Sequence, residues 1–183
     1  AGKAVEYQVT SARIMMRNFY SAVLTRDDPT PVPFRSLVHG GIIHGGQLLD
    51  AELRFRPSSY FGPSSGYGRL FASLPDRPRR VGVIGLGAGS LVAHGRKGDT
   101  FRFYEINPQV VELAKREFTF LTESPATIEV VLGDGRLSLE REPSQRFDVI
   151  AMDAFSGDSI PMHLLTREAM AIYMRHLVTG GVL

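Results

Sequence analysis

Val81-Gly82-Val83-Ile84-Gly85-Leu86-Gly87-Ala88-Gly89-Ser90 is an apolar run of strand length that breaks into a glycine-rich turn. Close behind it comes Thr100-Phe101-Arg102-Phe103-Tyr104-Glu105, a second such run ending in an acid. Working outward, Ile128 to Leu132 and Asp148 to Met152 read the same way, as strands buried on both faces. Between them, Pro108 to Phe118 and Thr166 to Leu177 carry apolar residues at helical spacing. Strands alternating with helices imply a parallel sheet with right-handed crossovers and helices on both faces, here spanning residues 80–183.

Upstream the pattern changes. Residues 1–56 are rich in β-branched and aromatic residues, as in the runs starting at Val5, Phe19 and Ser36, and read as a small β-meander. Asp27-Asp28-Pro29-Thr30-Pro31 is a turn, and Gly40-Gly41 supplies the positive φ angles of a tight hairpin. Residues 57–79 form a Gly/Pro/Ser-rich connector with a short helix near Gly66 to Ser73 and a basic cluster of Arg77, Arg79 and, just beyond, Arg80.

Composition narrows the function classes. The chain has 183 residues, enough for one cored domain and an appendage. Its 21 basic residues nearly cancel its 19 acidic ones, which leaves no broad phosphate-binding field and argues against nucleic acid as a partner. No apolar run approaches the roughly 20 residues of a membrane span. The lack of cysteine excludes disulfides, thiolate metal sites and cysteine nucleophiles, and suits a cytoplasmic setting. The chain opens at Ala1 and closes at Leu183, just past Gly180-Gly181, where a strand is expected to begin. A domain excised from a longer protein is the expectation, with an open sheet edge that could pair in a homodimer.

In a doubly wound sheet the ligand lies beyond the carboxyl ends of the strands. Four strand ends carry suggestive residues. Gly85 to Gly89 lets backbone approach a ligand, with Ser90 placed to cap a following helix, although a tight turn in any fold needs the same residues. Ser90 also stands where the dinucleotide fingerprint requires its third glycine. Glu105 is spaced to accept hydrogen bonds from two ribose hydroxyls, its alternative being a cap for the helix at Pro108, a role open to Asn107 too. Asp134, within Gly133-Asp134-Gly135, could meet an exocyclic amine or simply make a turn. Asp153 heads a loop running to Thr166 and would face whatever reacts, or cap a turn; Asp158 in that loop could equally be solvated.

His39 and His44 do not suggest a metal, because residues five apart on a strand point to opposite faces. No metal is expected. His94, His163 and His176 are scattered and read as structural, and no Ser-His-Asp pattern is present.

Taken in order, Val83 to Ser90, Phe103 to Pro108, Val130 to Gly135 and Phe147 to Phe155 resemble the motifs of spermidine synthases, the polyamine aminopropyltransferases. Leu164-Leu165-Thr166-Arg167-Glu168 and the hairpin Arg35 to Gln47 extend the likeness, which is similar in detail to bacterial spermidine-synthase-like domains joined to transporter-like membrane segments. The resemblance implies a methyltransferase-like Rossmann α/β fold behind an N-terminal β-meander. It implies that Gly85, Gly87, Ala88, Gly89, Glu105, Ile106, Asp134, Gly135 and Gln8 bind decarboxylated S-adenosylmethionine or S-adenosylmethionine. It puts Tyr60, Gln47, Asp153, Ser156 and Asp158 on the side of an amine substrate, with Asp153 as the base.

Two departures matter. The family carries an Asp in the glycine loop where this chain has Ala88, and a second loop acid where it has Ser156. Fewer carboxylates imply weaker polyamine binding. Methyl transfer from adenosylmethionine and a non-catalytic adenosyl- or polyamine-sensing domain are therefore the alternatives to aminopropyl transfer.

Overall fold

Short antiparallel strands, three of them with three consecutive buried residues, followed by a run of parallel strands, divide the chain into two kinds of sheet. The computed structural model describes residues 11–29, 31–155 and 159–183. In chain order the elements are β1 Ile14–Asn18, β2 Ser21–Asp28, β3 Phe34–His39, β4 Ile42–Leu48, α1 Gly66–Ser73 and β5 Arg80–Ile84. They continue with β6 Thr100–Glu105, α2 Pro108–Glu117, α3 Phe120–Glu123 and β7 Thr127–Leu132. The last are α4 Gly135–Arg141, β8 Phe147–Met152, α5 Arg167–His176 and β9 Leu177–Val182. Two compact units result: one takes in the described residues up to Pro75 with 87–94 and 109–123, the other 76–86, 95–108 and 124–183.

The first unit holds an antiparallel sheet of order β1-β2-β3-β4. Gly40 and Gly41, at φ +60 and +91, make the tight turn between β3 and β4 that the sequence requires there. The expected strand at Phe19 starts later: Phe19 and Tyr20 form the exposed turn between β1 and β2, and pairing resumes at Ser21. Strand β1 carries no strong sequence signal, since Ile-Met-Met-Arg-Asn alternates only weakly. The run at Val5 lies outside the described residues. Within this unit Arg35 bonds the Asp27 carboxylate at 2.7 Å and the backbone carbonyl of Glu117 at 2.9 Å, tying β3 to the end of α2. The Arg35 guanidinium holds the Asp27 carboxyl below its ordinary range.

The second unit is a parallel sheet of order β7-β6-β5-β8-β9. On one face Ile84, Tyr104 and Ile150 pack with Leu139 of α4 and Ala169 and Tyr173 of α5. On the other, Val81, Val83, Phe101, Phe103 and Val149 are buried too, which is why these strands read as unbroken apolar runs. Helix α5 begins after Thr166, whose hydroxyl accepts the Ala169 N–H, and ends at His176. The final strand begins at Leu177, earlier than Gly180-Gly181 suggested. Its register against β8 slips between the Phe147–Leu177 and Val149–Val182 pairs, and the two glycines accommodate the irregularity. Among the described residues no helix is long and apolar enough to cross a membrane.

The basic cluster is absorbed within the second unit. Arg77 pairs with Asp148 at 2.6 Å, the buried Arg79 guanidinium is ion-paired with Asp99, and Arg80 donates to the Gln145 carbonyl. Asp99 also accepts the backbone N–H groups of Arg79 and Arg96, so neither buried charge is left uncompensated.

His176 is fully buried. Its Nδ1 accepts the Gln145 N–H at 3.1 Å while Nε2 donates to the Leu139 carbonyl at 2.8 Å, an arrangement that only a neutral imidazole can satisfy. Burial accordingly pushes its pKa down. The unfolded chain therefore binds the proton first as pH falls through about 6.5, and stability declines from there toward the lower folded-state pKa. Urea unfolding between pH 7 and 5.5 should show this loss, bounded at about 1.4 kcal/mol per pH unit for the single group. His176→Gln should flatten that part of the slope.

Candidate active site

The parallel register places four strand ends at one level. Ile84 lies opposite Tyr104 and Met152, and Glu105 opposite Leu132. The ladder then runs one residue further: Gly85 N–H donates to Tyr104 O, Asp153 N–H to Ile84 O and Gly133 N–H to Glu105 O, at 2.8 to 2.9 Å. In the second unit Gly85, Glu105, Gly133 and Asp153 are thus held flush at the carboxyl edge of the sheet.

Glu105 is 8% exposed, and each carboxylate oxygen takes one backbone N–H: Oε2 from Leu86 at 2.9 Å and Oε1 from Asn107 at 2.8 Å. Burial pushes its carboxyl up, and the backbone N–H groups of Asn107, Leu86 and Ile106 pull it back. Its two oxygens bind the turn after β5 and the turn after β6. The bond to Leu86 is something a cap for α2 would not make. Ile106, next in line, is exposed.

Gly85 has a geometric reason. At φ +97, a β-carbon there would stand 2.6 Å from the Asp153 carbonyl oxygen, so only glycine lets the turn pass beside the start of the Asp153 loop. Asp134 caps α4, its Oδ1 accepting the Leu137 N–H at 2.9 Å, while Oδ2 meets His163 Nε2 at 2.8 Å. Gly135 is the buried first residue of that helix. Helix α4 has seven residues, too few for periodicity to declare it in the sequence. His163, set aside as structural, belongs to this cluster; no local pattern marks it, since its partner lies 29 residues away in sequence.

The rest of the glycine loop belongs to the first unit. Gly87, at φ +53, lies against β4: a β-carbon there would sit 2.3 Å from the His44 carbonyl oxygen, which accepts the Ala88 N–H at 3.0 Å. Ala88 is buried, and Gly89 also has positive φ. Ser90 does not cap a helix. Its hydroxyl accepts from Gly46 N–H and donates to Gly46 O, and only the 3-10 segment Ser90–His94 follows.

Gln47 is buried with its amide spent on Thr119 and the Arg54 carbonyl, a clasp between β4 and the α2–α3 junction. Tyr60 is exposed and lies against Phe61, with ring centroids 4.2 Å apart and planes tilted by 43°. The rings of His39 and His44 come within 5.8 Å, closer than strand alternation suggested, because the hairpin turn sets them on neighbouring strands. Among the described residues no third potential ligand joins them. Gln8, Ser156 and Asp158 lie outside the described residues.

With this geometry in view, the chain matches no protein-family model. It is similar to the polyamine aminopropyltransferase of Vibrio vulnificus (strain CMCP6), 36% identical over 112 residues that cover 58% of this chain and 37% of that protein. The chain thus spans well under half of that relative. In structure it is similar to a probable spermidine synthase from Corynebacterium glutamicum, at TM-score 0.71 and 17% identity, covering 90% of this chain and 60% of that one. Spermidine synthase from Thermotoga maritima follows at TM-score 0.60 and 18% identity, covering 91% and 53%. These two likenesses are of fold, which is methyltransferase-like α/β with an antiparallel N-terminal sheet, as the sequence led us to expect.

The contact of Gly87 with β4 is testable without any ligand. Gly87→Ala should cost about 1–3 kcal/mol from backbone conformation alone, more with the clash on His44, read as a lowered thermal midpoint. Gly41→Ala, with open space around its missing β-carbon, should cost the conformational part only.

Proposed function

We propose that this chain carries a transferase domain that uses an adenosyl sulfonium compound to place an aminopropyl group on an amine, as in polyamine biosynthesis. The observation that carries this reading is the set of acids held flush at one sheet edge, with Glu105 closed in and anchored by two backbone N–H groups. The similarity to a polyamine aminopropyltransferase supports the choice of reaction.

The residues fit the group they would hold. Glu105, a carboxylate held in place by backbone N–H groups at the end of β6, would accept from two neighbouring ribose hydroxyls. Asp134 would accept from the exocyclic amine of adenine. Decarboxylated adenosylmethionine supplies an electrophilic carbon next to its sulfonium. Asp153 would orient the amine and take its proton as the new N–C bond forms and the C–S bond breaks, releasing methylthioadenosine. Ala88 and Ser156 each stand where the family pattern has an acid, so modest polyamine affinity is part of the proposal.

Incubation with decarboxylated adenosylmethionine and a diamine should yield methylthioadenosine by mass spectrometry. A blank there, with adenosylhomocysteine formed from adenosylmethionine, would shift the assignment to methyl transfer. Asp153→Asn should lower turnover about 10²–10⁴-fold while cofactor binding is kept. Glu105→Gln should instead weaken binding, because its amide nitrogen would face a backbone N–H with no acceptor to offer.

A further inference from the structure

We propose that His163 is the positioning residue for base recognition, fixing the Asp134 carboxylate so that it presents a preset acceptor to the amine of adenine; this rests on the reading of Asp134 above. Asp134 Oδ1 is tied to the Leu137 N–H at 2.9 Å and Oδ2 to His163 Nε2 at 2.8 Å. A carboxylate only accepts, so Nε2 carries the proton in this contact. With one tie the carboxylate could swing about its soft terminal torsion; with two, at opposite oxygens, it cannot. Each oxygen still has a lone pair free for an incoming N–H.

The donor itself is anchored. His163 sits in the 3-10 segment Met162–Leu164, and its carbonyl accepts Arg136 Nη1 at 3.0 Å, from the same first turn of α4 that Asp134 caps. Next to it Leu164 is buried in the core, with its carbonyl held by the Tyr173 hydroxyl at 3.2 Å. The imidazole is half exposed and the carboxylate largely covered, at 51% and 17%, so truncating the histidine removes the tie without hollowing the core.

The test is calorimetric titration of methylthioadenosine and of its 6-oxo counterpart, methylthioinosine, into wild type, His163→Ala and His163→Gln. Loss of preorganisation in His163→Ala should weaken methylthioadenosine by about 3- to 10-fold and leave methylthioinosine unchanged, so discrimination between the two bases shrinks. His163→Gln, which keeps an N–H donor at similar reach, should restore most of it. Equal weakening of both ligands, or of neither, would overturn the positioning role while leaving the adenosyl reading intact. Wild type that binds both equally would remove the Asp134 assignment, and wild type that binds neither would remove the adenosyl reading and this inference with it.

Discussion

Strand β5 is hydrogen-bonded on both sides by parallel neighbours, β6 and β8, and the ladder continues one residue past the strands through the N–H groups of Gly85 and Asp153. Everything chemical in the second unit depends on that register. In a parallel pair the bonds slant evenly, so strands in register end at the same level, and the first residue of each following loop is delivered to a common edge. A slip of one residue would turn Glu105 and Asp153 to other faces. The register is secured from within, because Val81, Val83, Phe101, Phe103 and Val149 are buried on one face while Ile84, Tyr104 and Ile150 pack under α4 and α5 on the other.

Polar groups inside this unit serve the same end. At the amino edge of the sheet, Asp99 gathers the Arg79 guanidinium and two backbone N–H groups, pinning the starts of β5 and β6. At the carboxyl edge Glu105 does the corresponding work with Leu86 and Asn107. A buried acid is costly unless its lone pairs are met, and here backbone donors meet them. His176 likewise has both ring nitrogens engaged by backbone groups and ties the end of α5 to α4 and to the segment before β8.

The inner strands β5, β6 and β8 were legible because doubly buried strands cannot hide their composition, and the acids after β6 and β8 stood out by position alone. Strand β7, expected to be buried on both faces, is instead a half-exposed edge strand, its apolar run covered on one side only by β6. Helices α1, α2 and α5 also announce themselves through spacing and caps. The misses have physical causes. Strand β1 is half exposed on one side and so lacks an apolar signature. Helix α4 is too short for periodicity, and Ser90 looks like a cap only until β4 supplies Gly46 as a partner for its hydroxyl. His163 is invisible in sequence because its meaning is a contact with Asp134.

The glycine loop divides most clearly between the two levels. Sequence by itself determined that a turn of unusual backbone follows a buried strand and that an acid stands at each of three later strand ends. These are properties of local composition and spacing, which the chain carries wherever it folds. Only the tertiary structure decided why the glycines are needed: Gly85 because the Asp153 carbonyl passes beside it, Gly87 because the His44 carbonyl does. It also decided which acids are tied down and by what, since hydrogen-bond partners distant in sequence are chosen by packing, and no local pattern encodes a neighbour that arrives from another strand.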